Sequence, residues 1–307
     1  MHVTLHLGAH RTGVATLQRF LLANRRDLHA NRIAAWVSPE LRAGMISGLV
    51  RRPEAVSLKD ERTGRRSVGL LRLRQDRLEK QGRARLIVSE PYMIGTPGTC
   101  LRSGRLYPWA GERLLQFQHA FADRCDRILI SIRSYDRFWT SLLASRLAEG
   151  YRFPDAAALD RLVTQPLRWR HLIAEVAHVF PRARLFLAAQ EAFCALPERQ
   201  FAALSGITFL PGQVSRMAEA RGWHRRSPTA DRMRALLRDR GQEAPVRADG
   251  SGRWYPFDEL QRTALLAQYS EDLAWLRGGA GGLATLIEHA DTPQPIRSDS
   301  NWRISPR

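Results

Sequence analysis

Lysine is almost missing from this chain. Lys59 and Lys80 are the only two among 48 basic residues, so nearly every cation is an arginine. The nucleoside-triphosphate phosphate loop needs a lysine directly after a glycine, followed by serine or threonine. Neither lysine follows a glycine, which counts against that loop in its usual form. Cysteine is scarce too. Cys100, Cys125 and Cys194 are odd in number and widely spaced, the pattern of free thiols in a reducing compartment, and they give no metal-ligand spacing. No apolar run approaches the roughly 20 residues that span a bilayer. The opening stretch MHVTLHLGAHRTG becomes glycine- and arginine-containing too early for a signal peptide, so a cytoplasmic, membrane-free protein is expected. There is no internal repeat, no Gly-x-Ser-x-Gly elbow and no Cys/His pair at hydrolase spacing.

What is present is a globular composition: 307 residues, 44% hydrophobic and 25% charged, with a net charge of +18. The charge points to an anionic partner, although arginines are spread along the chain and compositional bias explains part of the excess. No aromatic-and-basic strand pattern of an RNA-binding module appears, so nucleic acid is not the expected partner. Short apolar runs read as strands at 3–7, 33–37, 85–89, 127–132 and 184–188. Helical periodicity falls between them at 15–26, 70–81, 111–124, 135–149 and 167–180. Strands alternating with helices imply α/β: a three-layer α/β/α arrangement with a central parallel sheet of four or five strands. Residues 51–69 and 95–108, rich in charge, glycine and proline, read as loops. After about 215 the pattern is helical (227–240 and 257–277), with few strand signals. One domain over 1–290 is expected, followed by a loose basic tail at 291–307.

The loop after the first strand carries the most information: Gly8, Ala9, His10, Arg11, Thr12 and Gly13, then Val14, Ala15 and Thr16 opening a helix. A glycine-containing turn into a helix aims backbone N–H groups and the positive end of the helix dipole at one point, which binds phosphate. Arg11 adds charge, and Thr12 and Thr16 add hydroxyls. Taken alone, the segment reads equally well as a tight strand-to-helix turn. A second element follows the 127–132 strand, where Arg133 is followed eight residues later by Ser141. An arginine at a strand end and a serine two turns into the next helix are able to share one phosphate.

Together, in this order, the two elements resemble the sulfotransferases that use 3′-phosphoadenylyl sulfate, especially the bacterial members, whose first loop often reads G-x-H-K-T-G-T-T-x-L-Q. Ser89-Glu90 at a strand end, Phe180-Pro181, the Trp254–Phe257 stretch, Tyr269 and Asp272 add to the likeness, which spans roughly residues 1–275. The resemblance implies a fold like that of the sulfotransferases and P-loop nucleotide enzymes. It implies 3′-phosphoadenylyl sulfate as donor, 3′,5′-adenosine bisphosphate as product, no metal, and a small-molecule or carbohydrate acceptor carrying a hydroxyl or amine. The first loop would hold the 5′-phosphosulfate, and Arg133 and Ser141 the 3′-phosphate. A late basic stretch, Arg225, Arg226 and Ser227 beside Trp223, is similar to the family loop that closes over the nucleotide; its plain alternative is an exposed helix start capped by Ser227.

This chain departs from the pattern in one place. The family lysine is Arg11, and the Thr-Thr pair is Val14-Ala15, which removes two hydroxyl donors worth about 1.5–3 kcal/mol each against a charged oxygen. Sulfuryl transfer needs cations on the leaving oxygen and a base for the acceptor's proton. Arg11 and the loop N–H groups suit the first role. Glu90 is the candidate base, since open parallel sheets bind ligands at their carboxyl ends, with His10 as the rival. Each has a structural alternative: an ion pair with an arginine for Glu90, and loop packing for His10. A non-catalytic nucleotide binder of the same fold is the alternative to a transferase.

Overall fold

The computed structural model describes the chain except residues 52, 54, 55, 194, 208–212, 223, 225–227, 243–245 and 289–307. The tail expected at 291–307 therefore lies outside the described residues.

Five strands form where the apolar runs stand: β1 (His2–His6), β2 (Ile33–Val37), β3 (Arg85–Ser89), β4 (Cys125–Ile132) and β5 (Arg184–Ala189). They are buried nearly end to end, as strands covered on both faces must be. Two-residue strands β6 (Arg247–Ala248) and β7 (Trp254–Tyr255) pair antiparallel as a separate ribbon. A last strand, β8 (Ala284–Ile287), joins the main sheet beside β5. The result is a six-stranded, wholly parallel sheet in the order β2-β3-β1-β4-β5-β8.

Alternate side chains of the strands feed two cores. On one face Leu5, Val88, Ile128 and Ile130 pack with Phe117, Phe138, Trp139 and Trp169 from helices Ala110–Phe121, Tyr135–Ala148 and Trp169–Val179. On the other, Ile87, Leu129 and Ala188 meet Leu17, Phe20 and Leu21 of helix α1 (Val14–Ala23) and Phe201 and Leu204 of helix Pro197–Ser205. Each fully buried leucine or phenylalanine contributes about 1.5–3 kcal/mol, so both faces are well paid by burial. Helices thus cover the sheet on two sides, as the alternating pattern implied.

Three local expectations change. The stretch 51–69 is not all loop: helix Leu58–Lys80 starts inside it, behind a capping box of Ser57 and Asp60. Its Gly64 is not a breaker. The loop packs closely on it at Gly48, where a Cβ would stand 2.6 Å from the Gly64 nitrogen, so it is position 48 that needs glycine. Within 95–108, helix Pro97–Ser103 forms between the Thr96 cap and Gly104 in the left-handed conformation. The C-terminal region is not purely helical, since β8 supplies the sixth strand after helix Glu259–Arg277. Among the described residues, no helix is long and apolar enough to cross a membrane.

The strand order sets the site. From β1 the chain runs by way of α1 to β2 at one edge, whereas from β4 it runs to β5 on the other side. The crevice at the carboxyl ends of β1 and β4 is therefore the point where the winding reverses, the usual ligand position in an open α/β sheet.

Candidate active site

Two segments leave the sheet at that crevice. The first follows β1. Leu7 and Ala9 donate to the carbonyls of Leu129 and Ser131, extending the pairing with β4 past the strand proper. Gly8 is required here, because a Cβ would stand 2.5 Å from His6 Nε2 and 2.8 Å from Val14 Cγ2. His6 beneath it is fully buried. Its ring bridges Ser89 Oγ at 2.9 Å and Ser131 Oγ at 3.3 Å, tying β1 to both neighbours, and burial pushes its pKa down to about 3.

The loop then turns through Arg11 at φ 68° and Gly13 at φ 92°, with Thr12 between them at negative φ. The His10 and Thr12 N–H groups are used within this wall, donating to the Tyr107 hydroxyl and the Ala9 carbonyl. Helix α1 begins at Gly13 with no side-chain cap and no acidic residue in its first turn. The N–H groups of Val14 and Ala15 and the positive dipole end of the helix therefore stand at the cleft, while the Thr16 N–H donates to the Gly13 carbonyl.

The second segment follows β4. Arg133 is 5% exposed, yet among the described residues no carboxylate forms an ion pair with it. Its Nη1 donates to the Arg11 carbonyl at 2.9 Å, while Nε has no partner among the described residues. Burial lowers its pKa to about 10, with Glu191 opposing and the Arg137 and Arg11 charges adding to the fall. The backbone around it is fixed. Trp169 Nε1 donates to the Arg133 carbonyl at 2.8 Å, and the Ser134 N–H donates to Glu191, which also accepts from the Tyr269 hydroxyl. From the helix after β4, Ser141 accepts Arg11 Nε–H at 2.8 Å. The two elements read from the sequence thus meet directly, Arg133 and Ser141 both bonding to Arg11.

They line one cleft of about 670 Å³. Among the described residues five arginines face it (Arg11, Arg19, Arg42, Arg133 and Arg253) against a single carboxylate, Glu149. His10, Gly13, Val14 and Ala15 complete the loop side. Gly8, Ala9, Thr12 and Thr16 stand behind the wall. Thr12 is fully buried and its hydroxyl donates to the Ala9 carbonyl, which braces the loop and turns that proton away from the cleft. The Thr16 hydroxyl oxygen accepts the His224 N–H at 3.1 Å, so it anchors a later segment to α1. Arg225, Arg226, Ser227 and Trp223 lie outside the described residues.

Glu90 stands at the end of β3 as expected, but it is not a free carboxylate. It is fully buried, and both its oxygens are taken in a forked pair with Arg42: Nε to Oε2 at 3.0 Å and Nη2 to Oε1 at 2.5 Å. Oε1 also accepts the Tyr92 N–H. Arg42 lies 3.6 Å from the Tyr92 ring centre and faces the cleft, half-exposed. His10 is buried against Tyr107 and Tyr92. Burial, helped by the charges of Arg42, Arg11 and Arg113, takes its pKa down to about 3.

Sequence reasoning did not single out Arg42, Gln18, Arg19 or Arg253. Gln18 had a signal, as the glutamine closing the first motif; here its amide donates to Ser38 Oγ and the Ser89 carbonyl, tying α1 to the end of β3. Arg42 had none, because its importance comes from its pairing with a residue 48 positions away. Among the described residues, no group of three His, Cys, Asp or Glu is placed to hold a metal. No family model matches the chain, and no curated protein matches it.

Proposed function

We propose that the chain is a sulfotransferase-like enzyme that moves a sulfuryl group from 3′-phosphoadenylyl sulfate to a hydroxyl or amine acceptor, leaving 3′,5′-adenosine bisphosphate. The observation that carries this reading is the meeting of the loop after β1 with Arg133 and Ser141 in one arginine-lined cleft at the winding reversal of the sheet. A polyanionic nucleotide fits that lining. The volume is of ligand size, the cations outnumber the carboxylates, and Arg133 is a buried guanidinium without an ion-pair partner among the described residues. Such a charge is costly until an anion meets it.

In this reading the first-turn N–H groups of α1 and Arg11 hold the 5′-phosphosulfate, and Arg133 with Ser141 holds the 3′-phosphate. As the acceptor oxygen or nitrogen bonds to sulfur, the bond from sulfur to the bridging oxygen breaks. The 5′-phosphate keeps that electron pair, and the acceptor loses a proton. Arg11 and the α1 terminus are the groups that stabilise the added charge. Glu90 accepts the proton only when an acceptor draws Arg42 away from it; with Arg42 in place, Glu90 instead holds that guanidinium toward the cleft. Glu90→Gln separates the two roles. Loss of a base lowers kcat and leaves nucleotide affinity intact, whereas a loosened Arg42 raises the acceptor KM.

A second reading, a non-catalytic nucleotide-binding protein of the same fold, draws support from the methyl groups of Val14 and Ala15 in the cleft and from the occupied Glu90 carboxylate. The test between them is label transfer. Purified chain is incubated with ³⁵S-labelled donor and panels of small phenols, amines and oligosaccharides. Label in an acceptor supports the transferase; tight donor binding without transfer to any panel member supports the binder; no donor binding contradicts both.

A further inference from the structure

The Tyr107 hydroxyl makes two contacts with one residue. It accepts the His10 backbone N–H at 2.7 Å and lies 2.9 Å from His10 Nδ1. A phenol has a single proton to give, and its oxygen is already accepting from the backbone. Burial raises the Tyr107 pKa well above its usual value, so that proton stays on the ring oxygen. Among the described residues the only acceptor that hydroxyl meets is Nδ1, so the proton is given there. A neutral imidazole whose Nδ1 accepts carries its own proton on Nε2. Nε2 is buried and has no hydrogen-bond partner among the described residues, although His10 lies on the cleft wall and is 8% exposed. A buried N–H without an acceptor is destabilising, and at a wall of the cleft an incoming anion removes that penalty. The neighbouring cations Arg11, Arg42 and Arg113, with burial, keep the ring neutral.

We propose that Tyr107 locks His10 in the Nε2–H tautomer, and that this N–H is a preset donor to an anionic oxygen of the ligand, phosphate or sulfuryl, so that His10 is no general base. The lone pair that a base would use is already engaged by Tyr107. The ring is held for this purpose: it stacks on Tyr107, which packs in turn on Phe138 and Trp169. Tyr107 is thus a positioning residue, acting on the ligand through His10. The inference rests on the nucleotide reading of the cleft for the identity of the anion, but the tautomer does not.

The experiment is imidazole ¹⁵N–¹H correlation spectroscopy on the whole chain at neutral pH, with His10 assigned by its absence from the His10→Phe spectrum. Ligand-free protein is expected to show His10 as the neutral Nε2–H form. An Nδ1–H form or an imidazolium overturns the proposal even if the nucleotide reading stands. Titration follows. A shift of the Nε2–H resonance with 3′,5′-adenosine bisphosphate alone assigns the donor to a phosphate oxygen. A shift that appears only when inorganic sulfate is added to that complex assigns it to the sulfuryl position. Bisphosphate binding with no shift in either case overturns the donor role; no bisphosphate binding at all removes the nucleotide reading, and the proposed role of Nε2 with it, and leaves the tautomer result standing. Among variants, His10→Phe is expected to weaken the ligand that shifts Nε2–H about tenfold to a hundredfold, while His10→Gln, which keeps an amide N–H, stays within several-fold. Equal losses in the two variants contradict a donor. Tyr107→Phe is expected to let the Nδ1–H form appear; an unchanged tautomer contradicts the lock, and the wild-type spectrum decides the matter if that variant fails to fold.

Discussion

Replacing Arg133 by alanine separates the cost of building the site from the gain of using it. Among the described residues the guanidinium makes one hydrogen bond, Nη1 to the Arg11 carbonyl, and Nε is unpartnered. Losing that bond costs about 1 kcal/mol, while removing a buried cation without an ion-pair partner among the described residues returns part of its desolvation penalty. The backbone contacts that place residues 133 and 134, from Trp169 and to Glu191, do not involve the side chain. Global stability should therefore change by less than about 1 kcal/mol in either direction. Binding should behave differently. A guanidinium paired with a 3′-phosphate in a desolvated site is worth about 2–4 kcal/mol, so affinity for 3′,5′-adenosine bisphosphate should fall about thirtyfold to several hundredfold. Adenosine 5′-phosphate lacks the group that Arg133 reads and should lose less than about threefold. Calorimetry with both ligands, beside a denaturant titration of both proteins, supplies all the numbers. Equal losses for the two ligands, or a drop in stability of several kcal/mol, would refute the reasoning and make Arg133 a structural or general-charge residue.

Other outcomes follow from the same geometry. Val14→Thr with Ala15→Thr restores two hydroxyls at the cleft and should strengthen 5′-phosphate ligands by up to about 3 kcal/mol, roughly a hundredfold, in a calorimetric titration; unchanged affinity means that this turn does not face the 5′-phosphate. Gly8→Ala drives a methyl against His6 and Val14 and should cost about 1–3 kcal/mol of stability in urea unfolding, the scale of overpacking. His6 and His10 are held near pKa 3 when folded against about 6.5 unfolded, so protons favour the unfolded chain. Their contribution is complete above about pH 6.5 and is lost as pH falls toward 3, by up to about 1.4 kcal/mol per unit for each ring. His10→Gln should flatten the stability profile between pH 6 and 4 by about one ring's share, and an unchanged slope would place His10 in a solvated setting.

Much of the sheet was legible because strands buried on both faces need unbroken apolar runs, and VTLHL, IAAWV, RLIVS, RILISI and RLFLA supply them. β8 was not, because its four residues follow a glycine-rich turn in a segment dominated by helical periodicity. The first part of the helix at 58–80 is hidden in the sequence, since Gly64 and Gly69 look like breakers and only the fold shows that loop residues Gly48 and Leu49 pack at Gly64. In the site, the spacing of Arg133 and Ser141 and the order of the loop residues pointed to one place, and the structure brings them into contact there. What sequence order does not encode is where a hydroxyl proton or a guanidinium ends up. Thr12 turns its hydroxyl inward because the left-handed residue beside it rotates the loop, and Glu90 loses its freedom to Arg42, a residue without a motif.

The most direct measurement of the central claim is calorimetry of the wild-type chain with 3′,5′-adenosine bisphosphate, ATP and adenosine 5′-phosphate at one ionic strength. A cleft in which the loop after β1 and the Arg133–Ser141 element each hold a phosphate should bind the bisphosphate at least tenfold more tightly than adenosine 5′-phosphate, and more tightly than ATP despite the greater charge of ATP. Equal binding of all three ligands, or a ranking that follows charge alone, would contradict it.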